Sequence, residues 1–295
     1  MIGKTRHPSA ALADAPRGVL HTRFDEGVLE HARQAPAPLL ADFVEHYWCV
    51  RWDLRGRPPQ LQETLPHPNV HLIVEHGEAR LWGVHGGRYR RMLEGRETVF
   101  GVKFAAGGFH AFLRSPVAAL ANRSRPAREV FGAGIDAIAP AIPACPDIAA
   151  MVARVEPLLR ATAPAHDPLA AQARALVAQV AGDRELLRAE QLAERAGMGL
   201  RALQRLFRDY VGASPKWVIA RYRLHEAVAQ LQAGREQAWA ELALALGYYD
   251  QAHFIRDFRR LVGCAPADYA RREDPRRGAQ TSSCMPGCDK VTAVP

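Results

Sequence analysis

The chain has 295 residues, 48% of them hydrophobic, with a formal net charge of +8; this is enough apolar material for two cored domains and excludes a disordered chain or a small disulfide scaffold. No apolar run reaches spanning length and Met1-Ile-Gly-Lys-Thr-Arg-His-Pro8 lacks the apolar segment of a secretory signal, so a cytoplasmic protein with no membrane partner is expected. The five cysteines are odd in number and scattered, which reads as reduced thiols.

Residues 1–38, with Pro8, Pro16, Pro36 and Pro38, read as a loose N-terminal arm with one short helix. From Leu39 short segments rich in branched and aromatic residues follow one another: 43–52, 60–65, 70–75, 79–84, 89–93 and 98–104, parted by Gly and Pro turns such as Arg55-Gly-Arg-Pro-Pro59 and His85-Gly-Gly87. This spacing predicts an antiparallel sheet or small barrel. Helical patterning then begins near 109 and dominates 135–160, broken at Pro140, Pro143 and Pro146. The expected N-terminal fold is therefore α+β, over residues 39–163. The stretch Ala161-Thr-Ala-Pro-Ala-His-Asp-Pro168 is the best linker candidate, with Asp167 and Pro168 able to open the next helix as cap and first residue.

Residues 164–275 read as all helix. Segments 189–196 and 200–210 are separated by Gly197; 216–232 follows the cap pair Ser214-Pro215; 238–246 ends at Gly247; a helix from the N-cap Asp250 stops at Gly263; and a last helix covers 265–272. In 200–210, Leu203, Leu206, Phe207 and Tyr210 recur as an inward stripe, which leaves Arg201, Gln204, Arg205 and Arg208 outward. In the helix after Asp250, Phe254, Phe258 and Leu261 point inward, and Gln251, Ala252, His253, Arg256, Arg259 and Arg260 fall on the rest of the surface. Short helix, glycine turn, basic helix thus occurs twice, joined by a helix long enough to set two recognition helices near one DNA turn apart, about 34 Å. Arg can pair with guanine and Gln with adenine in a major groove. The charge agrees: between Arg184 and Arg277 there are 17 Lys and Arg against 12 Asp and Glu, the footprint of an anionic partner. Residues 276–295 read as a disordered tail, in which Cys284 and Cys288 form a lone C-x-x-x-C.

The runs Leu192-Ala-Glu-Arg-Ala-Gly-Met198, Leu203-Gln-Arg-Leu-Phe207, Gly212-Ala-Ser-Pro-Lys216, Arg221-Tyr-Arg-Leu224, Leu246-Gly-Tyr-Tyr-Asp-Gln-Ala-His-Phe254, Arg256-Asp-Phe-Arg-Arg260 and Gly263-Cys-Ala-Pro-Ala-Asp-Tyr269 closely resemble the AraC/XylS family of bacterial transcription regulators. The resemblance implies two helix-turn-helix units joined by a long helix. It places the base-facing positions at Arg201, Gln204 and Arg205 in the first unit and at Gln251, Ala252, His253 and Arg256 in the second. Arg208, Lys216 and Arg260 complete the expected DNA-binding set as phosphate contacts. Where such proteins usually carry a serine cap before the first recognition helix, this chain has Gly199, a change costing roughly a few tenths of a kcal/mol. Residues Tyr47-Trp48, Leu65-Pro-His-Pro-Asn-Val-His-Leu72, Leu81-Trp-Gly83 and Phe100-Gly-Val-Lys-Phe-Ala-Ala-Gly-Gly-Phe109 more loosely resemble an uncharacterised domain found ahead of this module. That likeness implies a sensing or dimerising role.

The expected function is a sequence-specific transcription regulator, with activator as the working reading and activation or repression left open, whose partners are double-stranded promoter DNA and RNA polymerase, with a small-molecule effector and a second copy of the chain as further candidates. No cofactor, metal or enzymatic activity is expected. The alternative from another class is a metal-dependent barrel enzyme tethered to DNA, for which Glu63, His67 and His71 have tolerable ligand spacing. Against it, Pro68 interrupts the strand and no H-x-H pair occurs. Cys49 beside Arg51 could be a reactive thiol, but a buried strand residue is the simpler reading, and the aromatics Tyr47, Trp48, Trp52, Trp82, Tyr89, Phe104 and Phe109 fit either a core or a ligand pocket.

Overall fold

A computed structural model of the protein describes Leu20 and residues 28–163, 166–233 and 239–273. Alternation of large apolar and polar side chains along two long strands organises the N-terminal part. The strands are β1 (Leu29–Gln34), β2 (Val44–Asp53), β3 (Gln60–Thr64), β4 (His71–Glu75), β5 (Glu78–Trp82), β6 (Tyr89–Leu93), β7 (Arg96–Phe104) and β8 (Ser124–Pro126). Six of them form one sheet in the order β1-β2-β7-β4-β5-β8, every pair antiparallel, while β3 and β6 make a separate ribbon.

Period-two alternation gives the sheet two buried faces. Tyr47 and Cys49 of β2, Leu72 and Val74 of β4, and Phe100, Val102 and Phe104 of β7 share the main core. That face is covered by α1 (His110–Leu113), α2 (Arg128–Phe131), α3 (Ala133–Ile138) and α4 (Ile148–Thr162). Asp147 caps α4 by accepting from the Ala150 N–H at 2.8 Å, and the helix buries Met151, Val152, Val155 and Leu159. On the other face Trp52, Val99 and Leu93 form a smaller cluster with Val28 and Leu54; Leu93 belongs to β6, so the ribbon folds over this side.

Two expectations need correction here. Residues 29–34 are a strand in register with β2, Leu29 opposite Trp52 and Gln34 opposite Tyr47, where an arm with a short helix was expected. The hexapeptide Leu-Glu-His-Ala-Arg-Gln has no apolar alternation of its own, and it is extended because β2 offers an open edge. The sheet is also open, with β1 and β8 as its two edges, so of the two predicted forms the sheet is found and the barrel is not.

The C-terminal part is α5 (Pro168–Gly182), α6 (Ala189–Arg195), α7 (Leu200–Leu206), α8 (Pro215–Gln232), α9 (Trp239–Ala245), α10 (Gln251–Val262) and α11 (Pro266–Glu273), with α7 running on into a wider π turn over Phe207–Val211. Two cores form around α8, whose 18 residues rise about 27 Å. Val218 and Ile219 near its start join Leu176, Leu192, Leu203 and Phe207. Leu224, Val228 and Leu231 further along join Leu242, Phe254, Phe258 and Tyr269. Each fully buried aromatic or aliphatic side chain is worth roughly 1.5–3 kcal/mol, so each unit carries its own stabilising core.

Neither core is made from the helices alone. Ala106 belongs to the first, and Leu20 and Leu65 to the second. The Tyr269 hydroxyl donates to the Leu20 carbonyl at 2.7 Å. The expected tail at 276–295 with its two cysteines, most of the arm (1–19 and 21–27) and linker residues 164 and 165 lie outside the described residues.

Candidate nucleic-acid interface

The second recognition helix, α10, is set by its two ends. Asp250 is extended (φ −151°) and its carboxylate accepts from the His253 N–H at 2.7 Å, which satisfies one of the free donors of the first turn. Gly263 at φ +94° ends the helix, its N–H bonding the Arg259 carbonyl at 2.8 Å, a left-handed position that favours glycine. Between them Phe254, Phe258, Leu261 and Val262 are buried, and Phe254 packs edge-on against Phe258 and Tyr248. The opposite side is left to Gln251, Ala252, His253, Arg256, Arg259 and Arg260, all exposed.

The first recognition helix, α7, lacks such a cap. Gly199 is extended and gives no side-chain bond, so the helix is fixed by burial of Leu203 and Leu206 and of Phe207 and Val211 in the π turn that follows. The preceding helix is better served: the Gln191 side chain accepts from the N–H groups of Leu187 and Arg188 at 3.0 and 2.9 Å. Arg201, Gln204, Arg205 and Arg208 are exposed, as is Lys216 in the first turn of α8. Ser214 caps that helix by accepting from the Trp217 N–H at 3.2 Å.

The electrostatics separate these residues further. Arg208 is paired with Asp209 at 2.8 Å, and Arg260 with Asp257 at 3.1 Å. His253 lies 3.9 Å from Asp257 and edge-on to Tyr248. Arg201, Arg205, Lys216 and Arg256 enter no ion pair among the described residues. Their charges, like that of Arg259, are therefore available to an incoming anion. One residue escaped the sequence reading: Tyr249 is 90% exposed immediately before the cap of α10.

Two arginines of α8 are buried instead of outward. Arg223 donates to the carbonyls of Val180 and Asp183 and pairs with Glu226 at 3.0 Å, tying α5 to α8. Arg221 donates to the Gly86 and Gly87 carbonyls of the N-terminal part and lies 4.5 Å over the Trp217 ring. Burial, with a smaller contribution from Arg260, brings its pKa down to about 10.

The residues proposed for a metal are not brought together. Glu63 pairs with Arg88 and Arg90 at 2.9 and 3.0 Å. His67 stacks at 4.0 Å on His225 of α8. His71 accepts from the Trp48 indole at 3.3 Å, and burial lowers its pKa to about 3. Among the described residues a different trio converges, Glu75, His76 and Glu97. Arg91 pairs with both carboxylates and His76 lies 3.3 and 2.8 Å from them, so a cation of the protein already bridges the two. Cys49 and Cys145 are buried free thiols, and burial pushes the Cys49 pKa up despite Arg51 beside it, which is the environment of an inert cysteine. Tyr47, Phe104 and Phe109 pack into the core with Phe100, Phe112 and Phe131. A groove of about 500 Å³ lies at one end of the sheet, lined by Glu30, Arg51, Trp52, Arg96, Glu97 and Cys145 among others.

Comparison with known proteins finds that residues 192–272 match a family described as a helix-turn-helix domain, and residues 32–126 one described as a domain of unknown function. An uncharacterized HTH-type transcriptional regulator of Haemophilus influenzae is 33% identical over 82 residues, which is 28% of this chain and 27% of that one. The RCS-specific HTH-type transcriptional activator RclR of Escherichia coli is 34% identical over 83 residues, 28% of this chain and 29% of that one. The chain thus matches less than a third of the length of these two relatives. A crystal structure of ToxT from Vibrio cholerae superposes with a TM-score of 0.37 at 9% identity, over 84% of this chain and 98% of that one.

Proposed function

Since residues 192–272 are a helix-turn-helix domain of the AraC type, preceded by a domain of unknown function, we propose that the protein is a sequence-specific DNA-binding transcription regulator. The observation that carries this reading is that both recognition helices present basic and amide side chains outward while the N-terminal part is docked. Arg201, Gln204, Gln251 and Arg256 are assigned to base edges, with Ala252 and His253 beside them. Arg208, Lys216 and Arg260 are assigned to phosphates, and Arg205 stays with the base-facing positions of α7. In the free protein Arg208 and Arg260 are held by neighbouring aspartates, so in serving DNA they would share or exchange those partners.

The N-terminal part is assigned to sensing a small molecule or to pairing with a second copy, acting through its contacts with both helix-turn-helix units. The RclR relative is named an activator, and activation here would run through RNA polymerase at the promoter. In this reading the chain divides into domains at 39–163 and 164–275, with Leu20, Leu65 and Ala106 packing across into the helical cores.

The test is selection of binding sites from random duplex DNA by the full-length protein, followed by Arg256→Ala. The variant should lose about 1–3 kcal/mol at one base pair of the selected site and little on random DNA. Affinity should also fall steeply with salt through counterion release. Equal loss on selected and random DNA would reduce Arg256 to a phosphate contact, and failure to select any sequence would sink the reading.

A further inference from the structure

The end of the second recognition helix is not left to the helix-turn-helix domain. Val262 is the last residue of α10, and its carbonyl is one of the terminal acceptors without an intrahelical donor. Arg88, which precedes β6 in the N-terminal part, donates Nη1 to that carbonyl at 2.7 Å. The same nitrogen lies 2.9 Å from the Glu63 carboxylate, and Glu63 is also met by Arg90 Nε at 3.0 Å. A guanidinium here satisfies an orphan acceptor and faces the negative end of the helix dipole. The fit leaves no slack: a Cβ built on Gly263 would lie 1.8 Å from Arg88 Nη1.

The loop that carries Arg88 is itself held from other directions. Arg221 of α8, 1% exposed, donates to the carbonyls of Gly86 and Gly87. The Gly86 N–H donates to the Asn122 side chain at 2.7 Å. One short loop of the N-terminal part therefore touches both the long connecting helix and the end of the second recognition helix. The outward residues of α10 stay exposed while it does so.

We propose that Arg88, braced by Glu63, is a positioning residue that fixes the orientation of α10 for DNA, so that this loop presets the second reading unit and has no part in setting the first. The first unit is docked elsewhere: Gly212, which ends its π turn, packs against Val117, and Tyr210 lies 4.0 Å from His110. This proposal rests on the DNA-binding reading above. It assigns the charged contact a favourable role in binding, because the docked arrangement covers none of the outward residues of α10.

The experiment compares full-length wild type, Arg88→Ala, Arg88→Lys and Glu63→Gln on the sequence selected by the wild type, with base preference measured position by position. Arg256→Ala and Arg201→Ala assign the half read by each helix. Arg88→Ala should weaken binding about tenfold, the worth of one charge-assisted hydrogen bond, and flatten base preference only in the α10 half. Arg88→Lys, which keeps the cation, should restore most of both, and Glu63→Gln should fall between. Amide exchange without DNA should quicken in the last turn of α10 in Arg88→Ala and not in α7. Unchanged affinity and preference in Arg88→Ala would overturn the proposal, as would an equal loss in both halves with a lower Tm, since that is the signature of general destabilisation. A wild type that selects no sequence removes the DNA-binding reading, and unchanged exchange in α10 would then overturn the positioning role independently.

Discussion

The two helix-turn-helix units share an arrangement and differ in what holds them. In the second, α10 is closed at both ends by its own residues, Asp250 and Gly263, and is touched at its last carbonyl by Arg88. In the first, α7 begins at a glycine that donates no cap, runs only seven residues, and passes into a π turn. Its order comes from packing against α5, α6 and α8 and from the docking of its end on Val117 and His110. The same recognition surface can thus be built by local chemistry or by tertiary contact. The consequences differ, because a capped helix has its ends fixed before it docks and gains only its orientation there, while an uncapped one depends on docking for both.

That contrast can be broken most strongly at the cores. Phe258→Ala and Phe207→Ala each remove a fully buried ring and should each cost about 3–5 kcal/mol in denaturant unfolding. If the two cores are separate, hydrogen exchange should rise first in α9–α11 for Phe258→Ala and in α6–α7 for Phe207→Ala. Exchange rising equally across both units would mean that α8 couples them into one.

A smaller effect sharpens the role of the caps. Asp250→Ala removes the bond to the His253 N–H and should cost about 1 kcal/mol, seen as a lower Tm and faster exchange in the first turn of α10. The weakest change runs the other way in the first unit. Gly199→Ser supplies the missing cap and should stabilise by roughly a few tenths of a kcal/mol, with no change in which bases α7 prefers. A larger gain, or an altered preference, would show that α7 is not yet in its bound register and that docking leaves it slack.

Much of this architecture was legible in the chain. The caps at Asp167, Ser214 and Asp250 accept from the N–H groups of Leu169, Trp217 and His253, because capping is decided within three residues. The outward arginines and amides were legible for the same reason, since the 3.6-residue period fixes which side chains share a face once the inward stripe is known. The strand at 29–34 was not legible, because Leu29–Gln34 has no alternation and owes its shape to a neighbour. Nor were the burial of Arg221 and Arg223 or the divergence of Glu63, His67 and His71. A guanidinium looks the same in sequence whether it faces solvent or a set of carbonyls.

The sequence by itself determined two recognition helices, their connecting rod and the residues they turn outward, because these follow from periodicity and from bonds between residues close in the chain. Only the tertiary structure decided that Leu20, Leu65 and Ala106 complete the helical cores and that Arg88 reaches the end of α10. Those contacts join residues more than sixty positions apart, and no local pattern encodes them. They form because residues just outside the N-terminal strands, once the sheet is folded, bring apolar side chains to the helical cores and a guanidinium to the end of α10.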